Sequence, residues 1–343
     1  MLTPLIEVSE QGYDFETATT KKTIDKHLEL FGKRLETKWQ NNPCFVDLNL
    51  IGNEQRMADG RHPVKFIFDE LRSRNCLAVP VSGLGRDIPY KLAVKQVVAT
   101  DKMGLCLRLK VDEAARPNLK DMIDIFLDEV VLPADCDLIL DLVSPNYIPI
   151  EGFSKVIEML IRRLPYLKNW RTFTLLGTSF PESMAEIRSS PVRIPRNEWL
   201  LYKLVSSNLA KSKVRVPAFG DYCINHPKVL AMDMRQLKPS ATIRYTTENE
   251  WIIIKGPNVR DNQFGQYRAH CRAVTRFADY CGPEFSVGDN YIYDCSIGSA
   301  STGNLTTWRW VGTNHHLEFV ARAIASFYGI SSSASPLAEV PLN

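Results

Sequence analysis

Short, almost unbroken apolar runs return along this chain at a spacing of about 30–40 residues, the length of one strand-plus-helix unit. They read LTPLIEV (2–8), CFVDLNL (44–50), CLAVPVS (76–82), GLCLRLKV (104–111), CDLILDLV (136–143), TFTLLGTS (172–179), VRVPAFGDY (214–222) and ATIRYTT (241–247). Continuous rather than alternating apolarity suits parallel strands that are covered on both faces. Helical patterns fill the gaps, as in HPVKFIFDELRSRN and IEGFSKVIEMLIRRLPYLKNW, where Phe153, Val156, Ile157, Leu160 and Ile161 keep the 3.6-residue period. Eight strands alternating with helices predict a (β/α)8 TIM-barrel-like single domain over residues 1–330, because eight is the number at which such a sheet closes. A doubly wound open sheet is the competing arrangement. A helix is expected near 262–280 and another at the end of the domain, and the composition of residues 331–343 is that of a short disordered tail.

Composition narrows the function classes. With 343 residues, 45% of them hydrophobic and 24% charged, the chain has the material of an ordinary globule with a sizeable core. A net charge of +3 gives no electrostatic argument for nucleic acid. The most basic region holds Arg193, Arg196, Trp199, Lys203, Lys211, Lys213 and Arg215, and reads as a solvated face; a nucleic-acid partner is not expected. No run reaches the length of a membrane span, and MLTPLIEVSEQGYDF lacks the basic start and apolar core of a secretion signal. The eight cysteines form no CxxC and several fall inside strand-like runs. These features predict a reduced, cytoplasmic protein with no membrane partner.

In barrels of this type the chemistry sits at the C-terminal ends of the strands. The polar residues there are Glu7, Asp47, Asn49, Ser82, Arg108, Lys110, Asp141, Thr178, Ser179, Asp221, Tyr222, Arg244 and Tyr245. A charge inside an apolar run is costly unless it is paired. In one reading Arg108 simply neutralises the carboxylates and fixes the top of the barrel. In the other, Asp141 and Asp221 act as acid, base or metal ligand, while Glu7, Asp47, Arg108, Tyr222, Arg244 and Tyr245 line a pocket in which an arginine clamps an anion. Glu7, Asp47, Asp141 and Asp221 are oxygen ligands of the kind a magnesium ion takes. No His-x-His or HExxH spacing is present, and no metal or cofactor is assigned.

The stretch TTWRWVGTNHHLEFVARAIASFYG (306–329) opens on two tryptophans and sets two histidines before an apolar helix. Asn314 reads as the N-cap, with Glu318 near the capping-box place and Gly329 as the stop. His315 and His316 then occupy a first helical turn. Neighbouring helical residues point about 100° apart, which argues against joint chelation of one metal. Positive charge is disfavoured at a helix start, so at least one of these histidines is expected to stay neutral and to donate a hydrogen bond.

TPLIEV at the start, FGDY (219–222), IRYT (243–246) and TWRWVGTNHHLEFV (307–320) together resemble the beta family protein group, named for a bacteriophage protein. The resemblance spans nearly the whole chain. It implies a barrel-like fold, carries no established activity, and links the chain to proteins of phages and of bacterial mobile or defence-related loci. Its motif positions here are Asp221, Tyr222, Trp308, Arg309, His315 and His316. Asp221 belongs to both the strand-end set and the motif set. The function expected is binding or turnover of an anionic, phosphorylated or nucleotide-like small molecule, with Asp221, Asp141, His315 and His316 as the chemical groups and Trp308 and Arg309 among those that hold the ligand. The alternative is a non-catalytic sensor with a protein partner, in a phage-defence or toxin–antitoxin type system.

Overall fold

In a computed structural model, residues 2–14, 17, 19–128, 130–188, 190–228 and 238–330 are described; the expected tail at 331–343 lies outside them. The strands are β1 (Leu5–Glu7), β2 (Tyr13–Asp14), β3 (Thr19–Thr20), β4 (Cys44–Asp47), β5 (Ala78–Ser82), β6 (Leu105–Lys110), β7 (Cys136–Asp141), β8 (Phe173–Gly177), β9 (Val192–Pro195), β10 (Ala218–Asp221), β11 (Ser240–Thr246) and β12 (Glu250–Asn258). By packing they fall into two units. The first runs to Thr178 and takes in Asn197–Asp221; the second comprises Ser179–Arg196, Tyr222–His226 and the residues from Lys238 onward.

The first unit is a curled, seven-stranded parallel sheet in the order β1-β4-β5-β6-β7-β8-β10. β5 and β7 are buried at every position, as their unbroken apolar sequences foretell. Helices bridge successive strands, and their ends are written in the sequence. His62 accepts from the Val64 amide at 3.2 Å before Pro63–Ser73, and Asp87 accepts from the Tyr90 amide at 2.9 Å before Ile88–Asp101. The helix Ile150–Arg163 starts on Glu151, ends on Arg162 and Arg163, and buries Ile157, Leu160 and Ile161. Val156, expected on that buried face, is instead exposed.

The strand order is sequential, as in a barrel, with none of the reversal that a doubly wound sheet requires. The sheet is nevertheless open. The eighth run, ATIRYTT, forms β11 in a separate antiparallel sheet of order β11-β12-β9 in the second unit. The (β/α)8 closure is thus corrected to an open parallel sheet, and the reason is local. From Ala241 to Tyr245, β11 alternates buried and half-buried residues, the period of a strand with one face to the core. The polar turn 247–249 then lets the apolar β12 fold back on it. Ala241, Ile243, Tyr245, Ile252 and Ile254 form the core of this unit with Tyr267, Cys271, Ile292, Cys295, Trp308 and Val311.

The helix Leu305–Phe327 crosses this core at two glycines. A methyl group at Gly312 would stand 2.8 Å from Ile224 Cδ1 and 3.0 Å from the Arg244 carbonyl oxygen, and one at Gly288 would stand 2.5 Å from the Val311 carbonyl oxygen. Gly312→Ala in an unconstrained helix would stabilise by about 1 kcal/mol. Here the sign should reverse, with urea denaturation showing a loss of about 1–3 kcal/mol from overpacking; a gain in stability would mean that the close approach at Gly312 is not maintained.

Candidate functional site

Three strand-end carboxylates of the first unit, Glu7, Asp47 and Asp141, meet in an ion network around Arg108. Parallel register sets Glu7 beside Asp47 and Lys110 beside Asp141. Arg108 reaches across the top of the sheet: Nε donates to Asp141 Oδ2 at 2.8 Å, and Nη1 donates to Glu7 Oε1 at 2.5 Å and to Asp47 Oδ2 at 3.0 Å. Arg86 Nη2 adds bonds to both oxygens of Asp47, at 2.9 and 3.0 Å. The carboxylates also hold their own loops, Asp47 accepting from the Asn49 amide and Asp141 from the Val143 amide. Asp47 and Asp141 are buried and the Arg108 side chain is only 11% exposed, so the guanidinium is spent on neutralising its neighbours. Arg86 was not singled out by the sequence reading, although it lies in SGLGRD (82–87).

The register places Asp221 differently from Asp141. Gly220 is the register partner of Leu176, and Leu176 is the partner of Asp141. Gly220 therefore shares a face with Asp141, and Asp221 takes the opposite one, since alternation along a strand turns each neighbour over. The expectation that Asp141 and Asp221 serve one pocket at the strand ends is corrected on this register.

His315 and His316 also change place. The helix begins at Leu305, where Asn304 Oδ1 accepts from the Thr306 and Thr307 amides at 2.9 and 3.1 Å, in a capping box with Thr307. The two histidines lie in mid-helix, so the argument from a helix start does not apply to them. Asn314 caps nothing of its own helix; its Oδ1 accepts from the Gly288 amide at 2.7 Å. Gly312 and Thr313 are weak helix formers, but tertiary packing overrides that preference and the helix runs through them. Glu318 pairs with Arg322 at 2.6 Å rather than closing a cap.

His315 is fully buried and both ring nitrogens are engaged, Nδ1 with Asp289 Oδ2 and Nε2 with the Thr246 carbonyl oxygen, each at 2.8 Å. A carbonyl oxygen only accepts, so Nε2 donates, and a proton is held between Nδ1 and the carboxylate. Asp289 also accepts from Tyr245 Oη at 2.8 Å and from Ser286 Oγ at 2.6 Å. Tyr245 stacks on the His315 ring at 3.9 Å between centroids, and its phenol is pushed far above the usual range by burial and by Asp289. Trp308 stacks on Tyr267 at 4.5 Å and donates to the Thr302 carbonyl. His315, Tyr245 and Trp308 are thus built into the core, where the sequence reading had set them in a ligand pocket. Asp289, in the capping pattern SVGD, was not singled out.

A different cluster gathers residues of two motif segments, IRYT and TWRWVGTNHHLEFV, with residues that follow FGDY. Arg244, on β11, donates from Nη1 to the Ile224 carbonyl at 3.0 Å and to Asn225 Oδ1 at 3.1 Å, and its guanidinium lies 5.3 Å from the centre of the Phe180 ring. Both acceptors are neutral. Among the described residues no carboxylate pairs with Arg244, and its charged state is opposed first by burial and then by Arg309, which lower its pKa from the usual value to about 10. Arg309 is exposed. On its helix Arg309, Gly312 and His316 are spaced three and four residues apart, one stripe of the surface. His316 is buried, its Nδ1 lies 2.8 Å from Thr246 Oγ1, and one of its ring nitrogens is within 4.8 Å of the Cys223 sulfur. Tyr222 directly precedes that cysteine. Phe180, Cys223 and Asn225 were missed; only the adjacency of Cys223 and Asn225 to FGDY could have pointed to them.

Several members of the basic region are engaged, while Lys211 and Lys213 are exposed. Arg193 pairs with Glu250 and Asp279, Arg196 and Trp199 are buried, and Arg215 donates to the carbonyls of Leu167 and Trp170. Among the described residues no helix is long and apolar enough to cross a membrane.

Fold and clusters together define a mixed α/β protein built on an open, sequentially wound parallel sheet, with an arginine-bearing cluster on a separate antiparallel one. The family model described as Beta protein matches residues 1–322, and the chain belongs to that family. No curated protein and no solved structure matches it.

Replacing Arg108 by Met should destabilise the protein by about 3–5 kcal/mol, the cost of stranding buried carboxylates. Asp221→Asn should leave that network intact. Parallel urea titrations test the pair, and a near-neutral R108M would show that the network is not buried as described.

Proposed function

We propose that this protein binds a small anionic molecule, phosphorylated or nucleotide-like, through Arg244 and Arg309. The observation that carries the reading is a pair of guanidiniums that oppose each other's charge, with no carboxylate paired to Arg244 among the described residues. Burying one cation beside another is unfavourable, and an anion between them would reverse that term. The strand-end network supports the same assignment by contrast: Arg108 is already occupied by Glu7, Asp47 and Asp141. Arg244 also has a neutral partner in Asn225 and an aromatic face in Phe180, which orient its guanidinium fork.

Binding does not require turnover. A sensor or partner-binding component of a phage-defence or toxin–antitoxin system would use the same anion, and product analysis after incubation separates that role from catalysis.

Thermal-shift titration with inorganic phosphate, pyrophosphate and nucleoside monophosphates tests the reading. A ligand at a hundred times its Kd should stabilise the wild type by about 2.7 kcal/mol, several degrees in Tm. Arg244→Gln and Arg309→Gln should each remove most of that rise, and added sodium chloride should weaken it. An equal rise in the double variant would sink the proposal.

A further inference from the structure

The cysteines of this chain are not equivalent. Cys44, Cys106, Cys136, Cys271 and Cys295 are buried. Cys76 and Cys281 are partly exposed, but burial pushes both thiols above the ordinary value. Cys223 is partly exposed in the Tyr222–His226 segment, and its sulfur lies within 4.8 Å of a His316 ring nitrogen. His316 is oriented by Thr246 Oγ1, 2.8 Å from its Nδ1. The next two residues, Ile224 and Asn225, are the ones that receive the Arg244 guanidinium. A partly exposed thiol beside an imidazole, one residue before a carbonyl that accepts from a guanidinium, is a setting in which cysteine becomes a nucleophile.

We infer that Cys223 is a nucleophilic thiol with His316 as its base, and that the electrophile it meets carries negative charge. The second clause rests on the anion site proposed for Arg244 and Arg309. The substrate class is an ester or thioester that bears a carboxylate or phosphate. In the step, the Cys223 sulfur bonds to the carbonyl carbon while its proton passes to His316. The bond to the leaving alkoxide or thiolate then breaks, and the leaving group takes that proton. Water hydrolyses the resulting thioester to the acid, which restores the thiol.

Competitive alkylation of the full chain with iodoacetate and iodoacetamide, read cysteine by cysteine by peptide mapping, tests both clauses. Carbon–sulfur bond formation expels iodide in either case, so only the charge of the reagent differs. At neutral pH Cys223 should be labelled first, with a rate ratio of iodoacetate to iodoacetamide several-fold above that at Cys76 and Cys281. Inorganic phosphate should slow labelling at Cys223 alone. His316→Gln should move the pH midpoint of labelling toward about 8.5, the value of an unassisted thiol. If that variant does not fold, the wild-type pH profile serves, since a midpoint at the unassisted value overturns the assignment of His316. Labelling of Cys223 no faster than of Cys76 and Cys281 overturns the nucleophile and leaves the anion site standing. Fast labelling with no preference for iodoacetate and no phosphate protection overturns the charged electrophile, and with it the anion site. Labelling only after treatment with a chelator shows Cys223 to be a metal ligand instead.

Discussion

The Arg108 guanidinium holds the parallel sheet together at its top. β1, β4 and β7 each end in a carboxylate that a parallel arrangement brings to the same level, and like charges at that spacing would drive the strands apart. One planar, permanently charged group with several donors can bridge all three, which a lysine with its single nitrogen could not do at the same geometry. Arg86 supplies a second positive charge against Asp47. The arrangement uses at the strand ends the place where related architectures keep their chemistry, and uses it for cohesion.

In the second unit a buried polar chain has the corresponding role. Ser286, Asp289, Tyr245, His315 and the Thr246 carbonyl form a continuous series of hydrogen bonds that ties β11 to the helices Val287–Ile297 and Leu305–Phe327. Every donor in that series has an acceptor, which is what makes such a network specific rather than costly. The two glycines, Gly288 and Gly312, let the same helices approach closely enough for these bonds to form. His315 and His316 adjoin in sequence yet serve different ends, because the helix turns one into the polar core and the other toward Cys223 and Thr246.

The parallel sheet was legible because its strands are nearly continuous apolar runs. Closure of the barrel was not legible from the number of runs. The eighth alternates along most of its length, and that period, more than the count of runs, suits β11 to an antiparallel sheet with one face to the core. The pairing of Arg108 with strand-end carboxylates was legible as one of two readings, whereas Arg86 was not, since it contributes from a loop. Asp221 drew attention because a motif position and a strand end coincide there, and register sets it on the other face of the sheet from Asp141. Cys223, Phe180 and Asn225 carry no pattern of their own; they become meaningful only once the segment after β10 is seen beside Arg244 and His316.

The stripe formed by Arg309, Gly312 and His316 has a consequence for how this chain can vary. Substitution at a position off the stripe, such as Trp310 or Thr313, alters one side chain and leaves the three in line. A single residue inserted anywhere between 309 and 316 would carry His316 about 100° around the helix relative to Arg309, and would part the imidazole from the guanidinium without changing either. The segment should therefore tolerate change of identity far better than change of length, and the spacing itself, more than any one residue in it, is what the site inherits.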